Sequence, residues 1–274
     1  MLVVGERINT SRKINKEPLI EVAVQSRDEA YIQKLATDQV DAGATYIDLN
    51  CGTLHSGEEE ALEWLTQTVQ AVVSVPMCFD SPNAEAIRRA IAVYNPANGQ
   101  PMINSITAEA DRFESILPIV LEHKTKVIAL AMDEGGIQPD GEKRYDVATK
   151  LVRDLLREGV PADDIYVDPL TFPIGTGSDV GVTMLDVIRR IRQEFPDVHI
   201  TAGISNVSHG MPSRKILNET MMVLAMGSGL DSAIIDPLDR YLMALIAGAE
   251  AILGRDDYSM NYITMSRAGR FEGL

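Results

Sequence analysis

The chain has 274 residues, 45% of them hydrophobic and 24% charged, which is enough for one large α/β barrel or two smaller domains. Its net charge of −15, with a single Trp and no basic stretch, argues against nucleic acid or any other polyanion as a partner. The longest apolar stretch, LMALIAGA (242–249), stops at Glu250, far short of a membrane span; MLVV at the start lacks a basic leader and meets Glu6 at once, so a cytoplasmic protein without membrane contact is expected.

Eight short runs rich in Val, Ile and Leu follow one another: LVVGE (2–6), TYIDLN (45–50), PMCFD (76–80), PMINS (101–105), VIALAM (127–132), IYVDPL (165–170), HITAGIS (199–205) and SAIID (232–236). Their ends recur about every 33 residues, the length of one βα unit. Near-continuous apolar runs suit parallel strands covered on both faces, and eight such units make a (β/α)8 TIM barrel. The expected organisation is a single domain over 1–274, with 254–274 as an irregular C-terminal tail packed on a neighbouring subunit.

The gaps carry helix signals. Ser26-Arg27-Asp28-Glu29 has the form of a capping box before YIQKLATDQVDAG, with Gly43 as a stop. Ser81-Pro82 places a cap and then proline at the first helical position, and Asp236-Pro237 repeats the arrangement. Leu238, Tyr241, Leu242, Leu245, Ala249, Ile252 and Leu253 form a helical stripe expected to face the barrel. Two connections are long and polar, 133–144 and 170–181, which suits lids or partner surfaces. Cys51 and Cys78 form no CxxC pair and no zinc-like cluster, so free, buried thiols and no resident metal are expected.

The informative pattern is where polar residues fall. Glu6, Asp48, Asn50, Asp80, Asn104, Asp133, Asp168, Asn206 and Asp236 all lie at or beside the carboxyl end of a strand, the functional face of such a barrel, and no Lys or Arg occupies those positions. A ring of this kind suits a hard cation, a pair of carboxylates acting on a sugar, or a heterocycle that presents both donors and acceptors. Mixed acids and amides suit the third best, because carboxylates take N–H groups and amides serve where donor and acceptor are both needed.

The strings GERIN (5–9), DLN (48–50), CFDSPN (78–83), MINS (102–105), DPL (168–170) and GISNVS (203–208) carry a resemblance. In this order they resemble the methyltetrahydrofolate:corrinoid-protein methyltransferases, over Met1 to about Gly254. That family shares a pterin-binding barrel with dihydropteroate synthase and with the folate domain of cobalamin-dependent methionine synthase. The resemblance implies a (β/α)8 barrel of the pterin-binding type in which Asp80, Asn104 and Asp168 hold the polar edge of the pterin. It puts Asn206 near N5 and Arg214 near the folate or the corrinoid, with Glu6, Asn9, Asp48 and Asn50 as supporting members. Asp236, next to Pro237, serves equally well as a cap.

The implied reaction moves a methyl group between N5 of tetrahydrofolate (5-methyltetrahydrofolate when loaded) and the cobalt of a corrinoid (cobamide), so no nucleophilic side chain is required. Asn206 can follow N5 as its protonation changes but cannot supply the proton, which falls to water or to a network including Asp48 or Asp80. Corrinoid domains carry D-x-H-x-x-G, whereas here Asp197-Val198-His199-Ile200-Thr201-Ala202 has alanine in place of glycine and leads into strand seven from the opposite face. A separate corrinoid protein is therefore the implied partner, and a homodimer is implied by family habit. His55, His123 and His209 read as surface or loop histidines, His209 being the one near enough to touch substrate. A dihydropteroate synthase-like enzyme is the alternative on the same barrel. Against it, the loop after strand six, LTFPIGTGSDVG, has no lysine, and Ser266-Arg267-Ala268-Gly269-Arg270 stands where Arg-x-His is expected. A non-catalytic folate-binding barrel would keep Asp80, Asn104 and Asp168 but would have no need of Asn206.

Overall fold

In a computed structural model, which describes residues 1–54 and 56–274, all eight runs become parallel strands. His55, read from the sequence as a loop histidine, lies outside the described residues. The strands are β1 (Leu2–Asn9), β2 (Tyr46–Asn50), β3 (Met77–Asp80), β4 (Met102–Ile106), β5 (Lys126–Leu130), β6 (Ile165–Asp168), β7 (His199–Ile200) and β8 (Ser232–Ile235). They pair in the order β8-β1-β2-β3-β4-β5-β6-β7. The ring closes between β7 and β8 through a parallel bridge, Gly203 to Ile234, and the bond from Ile234 N to Ala202 O at 3.1 Å.

Alternation along each strand sorts the side chains into two cores. Val3, Ile47, Phe79, Ile103, Val127 and Val167 point outward into the layer between strands and helices. Val4, Tyr46, Cys78, Met102, Ile128 and Tyr166 make a separate apolar plug inside the barrel. Two residues further along, the same inward face carries Glu6, Asp48, Asp80, Asn104 and Asp168. The period that fills the barrel therefore also delivers acids and amides to its carboxyl mouth.

The helices are α1 (Leu19–Ser26), α2 (Glu29–Asp41), α3 (Glu58–Gln70), α4 (Ala84–Val93), α5 (Ala110–His123), α6 (Gly141–Arg157), α7 (Val180–Glu194), α8 (Arg214–Ser228), α9 (Arg240–Ile252) and α10 (Met260–Arg267). Three cap assignments move two or three residues along the chain. Ser26 closes α1, bonding back to Val22 O at 2.8 Å, and Asp28 caps α2 through Tyr31 N–H. Ser81 is taken by Glu58 Oε1 at 2.5 Å, so Asn83 caps α4. Asp236 turns the chain through Leu238 N–H, and Asp239 caps α9. The buried stripe of α9 is Leu242, Ile246 and Ala249, whereas Tyr241, Ile252 and Leu253 are exposed.

The connection after β5 folds into a small antiparallel hairpin, Met132–Asp133 against Gly136–Ile137, and the one after β6 holds a 3-10 turn, Ile174–Thr176. The expected tail is neither irregular nor turned away from its own barrel. Its α10 packs on α9, Arg240 donates to Glu272 O at 2.8 Å, and Arg270 donates to Asp41 O at 2.8 Å. Among the described residues, no helix is long and apolar enough to cross a membrane.

Candidate functional site

The register of β2, β3 and β4 sets Asn50 beside Asp80 and Asp80 beside Asn104, three polar side chains across two strand spacings, about 10 Å. Asn50 Nδ2 donates to Asp80 Oδ2 at 2.7 Å, and Asn50 Oδ1 accepts from Gly52 N–H. Asp48, 1% exposed, sits deeper, against Cys78 and Asn104, and its Oδ1 has no hydrogen-bond partner among the described residues. On the other side, Asp168 is buried at the end of β6, with Oδ1 accepting from Leu170 N–H at 2.8 Å.

Burial dominates the electrostatics of this half. It pushes the Asp80 carboxyl up to about 6, against the Asn50 bond and the Arg112 charge that pull it down. It pushes Asp168 up to about 6 as well, opposed by the Leu170 N–H. A rise of that size corresponds to ~3 kcal/mol of preference for the neutral form. Asp48 lies well above the ordinary carboxylate range, first through burial and then through the neighbouring Asp80 charge. Buried carboxylates with spare lone pairs are costly in isolation, and a ligand rich in N–H groups relieves that cost.

The rim at β1 and β8 is different, although the sequence placed no cation at a strand end. Arg7, displaced by an irregularity in the β1–β2 register, donates to Asp236 Oδ2 at 2.9 Å. Arg12 donates to the same oxygen at 2.7 Å and lies 3.3 Å from Glu6 Oε1. Burial raises the Glu6 carboxyl and Arg12 opposes it. Glu6 and Asp236 are thus ion-paired, and Asn9 Oδ1 is occupied by Ser11 N–H and Oγ–H. Asp133 leaves the ring altogether, turning the hairpin through Gly135 N–H, and β5 offers apolar Leu130 at that level.

Asn206 differs from its predicted setting. The sequence put it at the last residue of a strand, but β7 ends at Ile200 and Asn206 is the exposed residue of an otherwise largely buried 3-10 turn, Ile204–Ser208. Its side-chain amide is committed to no hydrogen bond among the described residues, while its backbone N–H donates to Gly203 O at 3.3 Å and its backbone carbonyl accepts from His209 N–H at 3.1 Å. Arg214 braces this turn: Nη2 donates to Ser205 O at 2.8 Å and Nε to Ser208 Oγ at 3.0 Å. Arg112 braces the β3 and β4 ends in the same way, donating to Ser81 O, Pro82 O and Ser105 O at 2.7 to 2.8 Å.

Sequence reasoning missed Arg7, Arg12, Arg112 and Arg144. A signal existed for two of them, because Arg112 and Arg144 lie in the first turn of α5 and α6, where the helix dipole disfavours a cation. His199 is far from this rim, at the start of β7, with Nδ1 on Asp231 and Nε2 on Asp163. His123 and His209 are exposed.

Against known proteins, residues 21–236 match the family described as pterin binding enzymes, and the chain belongs to that family. It is 32% identical over 272 residues to the methylcorrinoid:tetrahydrofolate methyltransferase of Eubacterium limosum, spanning 98% of this chain and 97% of that one. It is 31% identical over 248 residues to the methionine synthase of Mycobacterium leprae (strain TN), spanning 86% of this chain but only 20% of that protein. Among solved structures, dihydropteroate synthase from Xanthomonas albilineans in complex with 7,8-dihydropteroate superposes with a TM-score of 0.67 at 16% identity, covering 93% of this chain and 94% of that one. At that identity the likeness is one of fold.

Proposed function

We propose that this protein is a methyltransferase that moves a methyl group between N5 of tetrahydrofolate and the cobalt of a corrinoid carried by a separate protein. The observation that carries the reading is the row of buried, under-used acceptors at the mouth, Asp48, Asp80 and Asp168, in a chain alike over nearly its whole length to a methylcorrinoid:tetrahydrofolate methyltransferase. We take residues 1–274 as one pterin-binding domain.

In this reading Asp80 and Asp168 accept from the guanidine-like and amide N–H groups of the pterin, and Asn104, between them and Asp48, serves a donor and an acceptor together. Asn50 fixes Asp80. Glu6, already paired with Arg12, supports the rim from the side. The corrinoid supplies the cobalt that gives or takes the methyl group. In either direction N5 changes its proton count: it loses a proton when the secondary amine is methylated and gains one when the methyl leaves.

Asn206, uncommitted and in the turn beyond β7, accepts from N5–H or donates to its lone pair, and Arg214 holds that turn in place. Asp48, kept neutral by burial and by Asp80, is the group able to exchange a proton with N5 through Asp80 or a water. Holding the reacting atoms in line supplies the rest.

The test is to mix the protein with tetrahydrofolate and methylcobalamin, or with 5-methyltetrahydrofolate and reduced cobalamin, and to follow the visible spectrum. Methyl exchange at a rate proportional to protein supports the reading. Tight folate binding without exchange leaves a binding-only barrel, and no folate binding overturns both. Homodimerisation belongs to the same reading, supported by the apolar side chains left exposed on and after α9, Ile252 at 87% and Tyr258 at 95%. Sedimentation at equilibrium tests it.

A further inference from the structure

Arg144 is the largest fully buried side chain among the described residues, 1% exposed. A guanidinium sealed from water calls for a partner, normally a carboxylate. Here Nη1 donates instead to two main-chain oxygens in the loop after β6, Leu170 O at 2.9 Å and Pro169 O at 3.3 Å. The group lies over the Phe172 ring, 4.8 Å from its centroid, and Nε has no partner among the described residues. Leu170, between those contacts, has φ +63, a left-handed conformation that a leucine side chain resists. That conformation turns the Leu170 N–H back onto Asp168 Oδ1 at 2.8 Å.

We propose that Arg144 is a positioning residue for Asp168. It grips the carbonyls of residues 169 and 170, holds Leu170 left-handed, and so pins one oxygen of Asp168 while leaving Oδ2 open to the ligand. The grip is independent of what the site binds; only the identity of the group that meets Oδ2 rests on the pterin reading above. A lysine cannot replace Arg144, because a compact ammonium lacks the planar fork and the stacking face. The Leu170 bond also lowers the Asp168 pKa against the larger effect of burial, which supplies a readout that packing alone does not move.

The experiment is a pH titration of the Asp168 carboxyl carbon by NMR in the ligand-free protein, with folate affinity measured against pH in parallel. In Arg144→Lys the Asp168 midpoint is expected to rise by about one pH unit, a tenfold change in proton affinity. Adding Leu170→Gly should return it, because glycine takes positive φ without a prop. Phe172→Leu, which keeps the donors and removes the ring face, should shift the midpoint the same way by less. It stands as the second variant should Arg144→Lys not fold. A folded Arg144→Lys with an unmoved Asp168 midpoint overturns the proposal, as does failure of Leu170→Gly to restore a moved one. If the titration behaves as expected while wild-type protein binds no folate, the positioning role stands and the pterin reading falls.

Discussion

At the floor of the barrel His199 lies between Asp231 at 2.9 Å and Asp163 at 3.0 Å, and Arg192 donates to the same Asp231 oxygen at 2.8 Å. Ile200 N–H takes the second Asp231 oxygen, Lys126 stands over Tyr166, and Tyr166 stacks on His199. At the mouth, one barrel length away, Asp48 Oδ1 has no partner among the described residues, and Asp80 and Asp168 each receive a single side-chain or backbone donor. Both ends carry acids, buried at the mouth but at the floor partly exposed (Asp231) or largely exposed (Asp163). The floor surrounds them with donors and cations, which holds the β6–β7–β8 seam shut where β7 is only two residues long. The mouth leaves them short of donors, and that shortage costs stability until a ligand arrives. Substitutions should therefore separate the ends: the mouth governs ligand and rate, the floor governs stability.

The largest effect is expected at Asn206. Asn206→Ala should slow methyl transfer roughly a hundredfold, about 3 kcal/mol, with folate affinity changed far less. A loss confined to affinity would reduce Asn206 to a binding contact.

Next come Asp80→Ala and Asp168→Ala. Each leaves ligand N–H groups unpaired and should weaken folate binding by about 1–3 kcal/mol in isothermal titration, with the melting temperature held or raised. Asp231→Ala should do the opposite. It takes the carboxylate from Ile200 N–H and one of the partners from His199 and Arg192, which keep Asp163 and main-chain oxygens, lowering stability by about 2 kcal/mol with folate affinity unchanged. A floor variant that loses folate affinity without losing stability would erase the contrast.

The smallest effect is in the pH dependence of melting. Asp80 and Asp168 have folded pKa values raised to about 6, so the folded state keeps protons that the unfolded chain releases near 4. Ligand-free stability should therefore fall as pH rises from about 4 to about 6, the penalty persisting above. His199 is raised as well, first by its Asp231 bond. Its contribution is complete below about 6.5 and is lost as pH rises through the folded value. Melting temperature against pH should show two descents. Asp168→Asn should shrink the lower one and His199→Gln remove the upper one. Folate binding, which favours the ionised mouth, should strengthen as pH rises through 6.

The strands were legible because apolar runs of one period recur at one spacing, and the strand-end acids and amides were legible for the same reason. What local pattern could not resolve was competition between neighbours. Ser26, Ser81 and Asp236 each look like caps, but each is claimed by another bond, and Asp28, Asn83 and Asp239 take over. The α9 stripe was read in the wrong phase: Tyr241, Ile252 and Leu253 were counted in it, whereas the buried Ile246 was not. HITAGIS looks like a full strand, yet only His199–Ile200 form a ladder, Gly203 adds a single bridge, and the run then winds into the turn that exposes Asn206. The division of the rim into a neutralised half and a bare half depends on Arg7, displaced within β1, and Arg12, from the loop after it, both reaching Asp236, 229 and 224 residues away in sequence, which only the fold brings together.

The central claim is that the bare half of the rim, and no other surface, takes the pterin. A crystal structure with tetrahydrofolate tests it most directly. The account predicts the ring's N–H edge within hydrogen-bond distance of Asp80, Asn104 and Asp168, with N5 turned toward Asn206. A ring bound against Arg7, Arg12 and Asp236, or outside the barrel mouth, would contradict it.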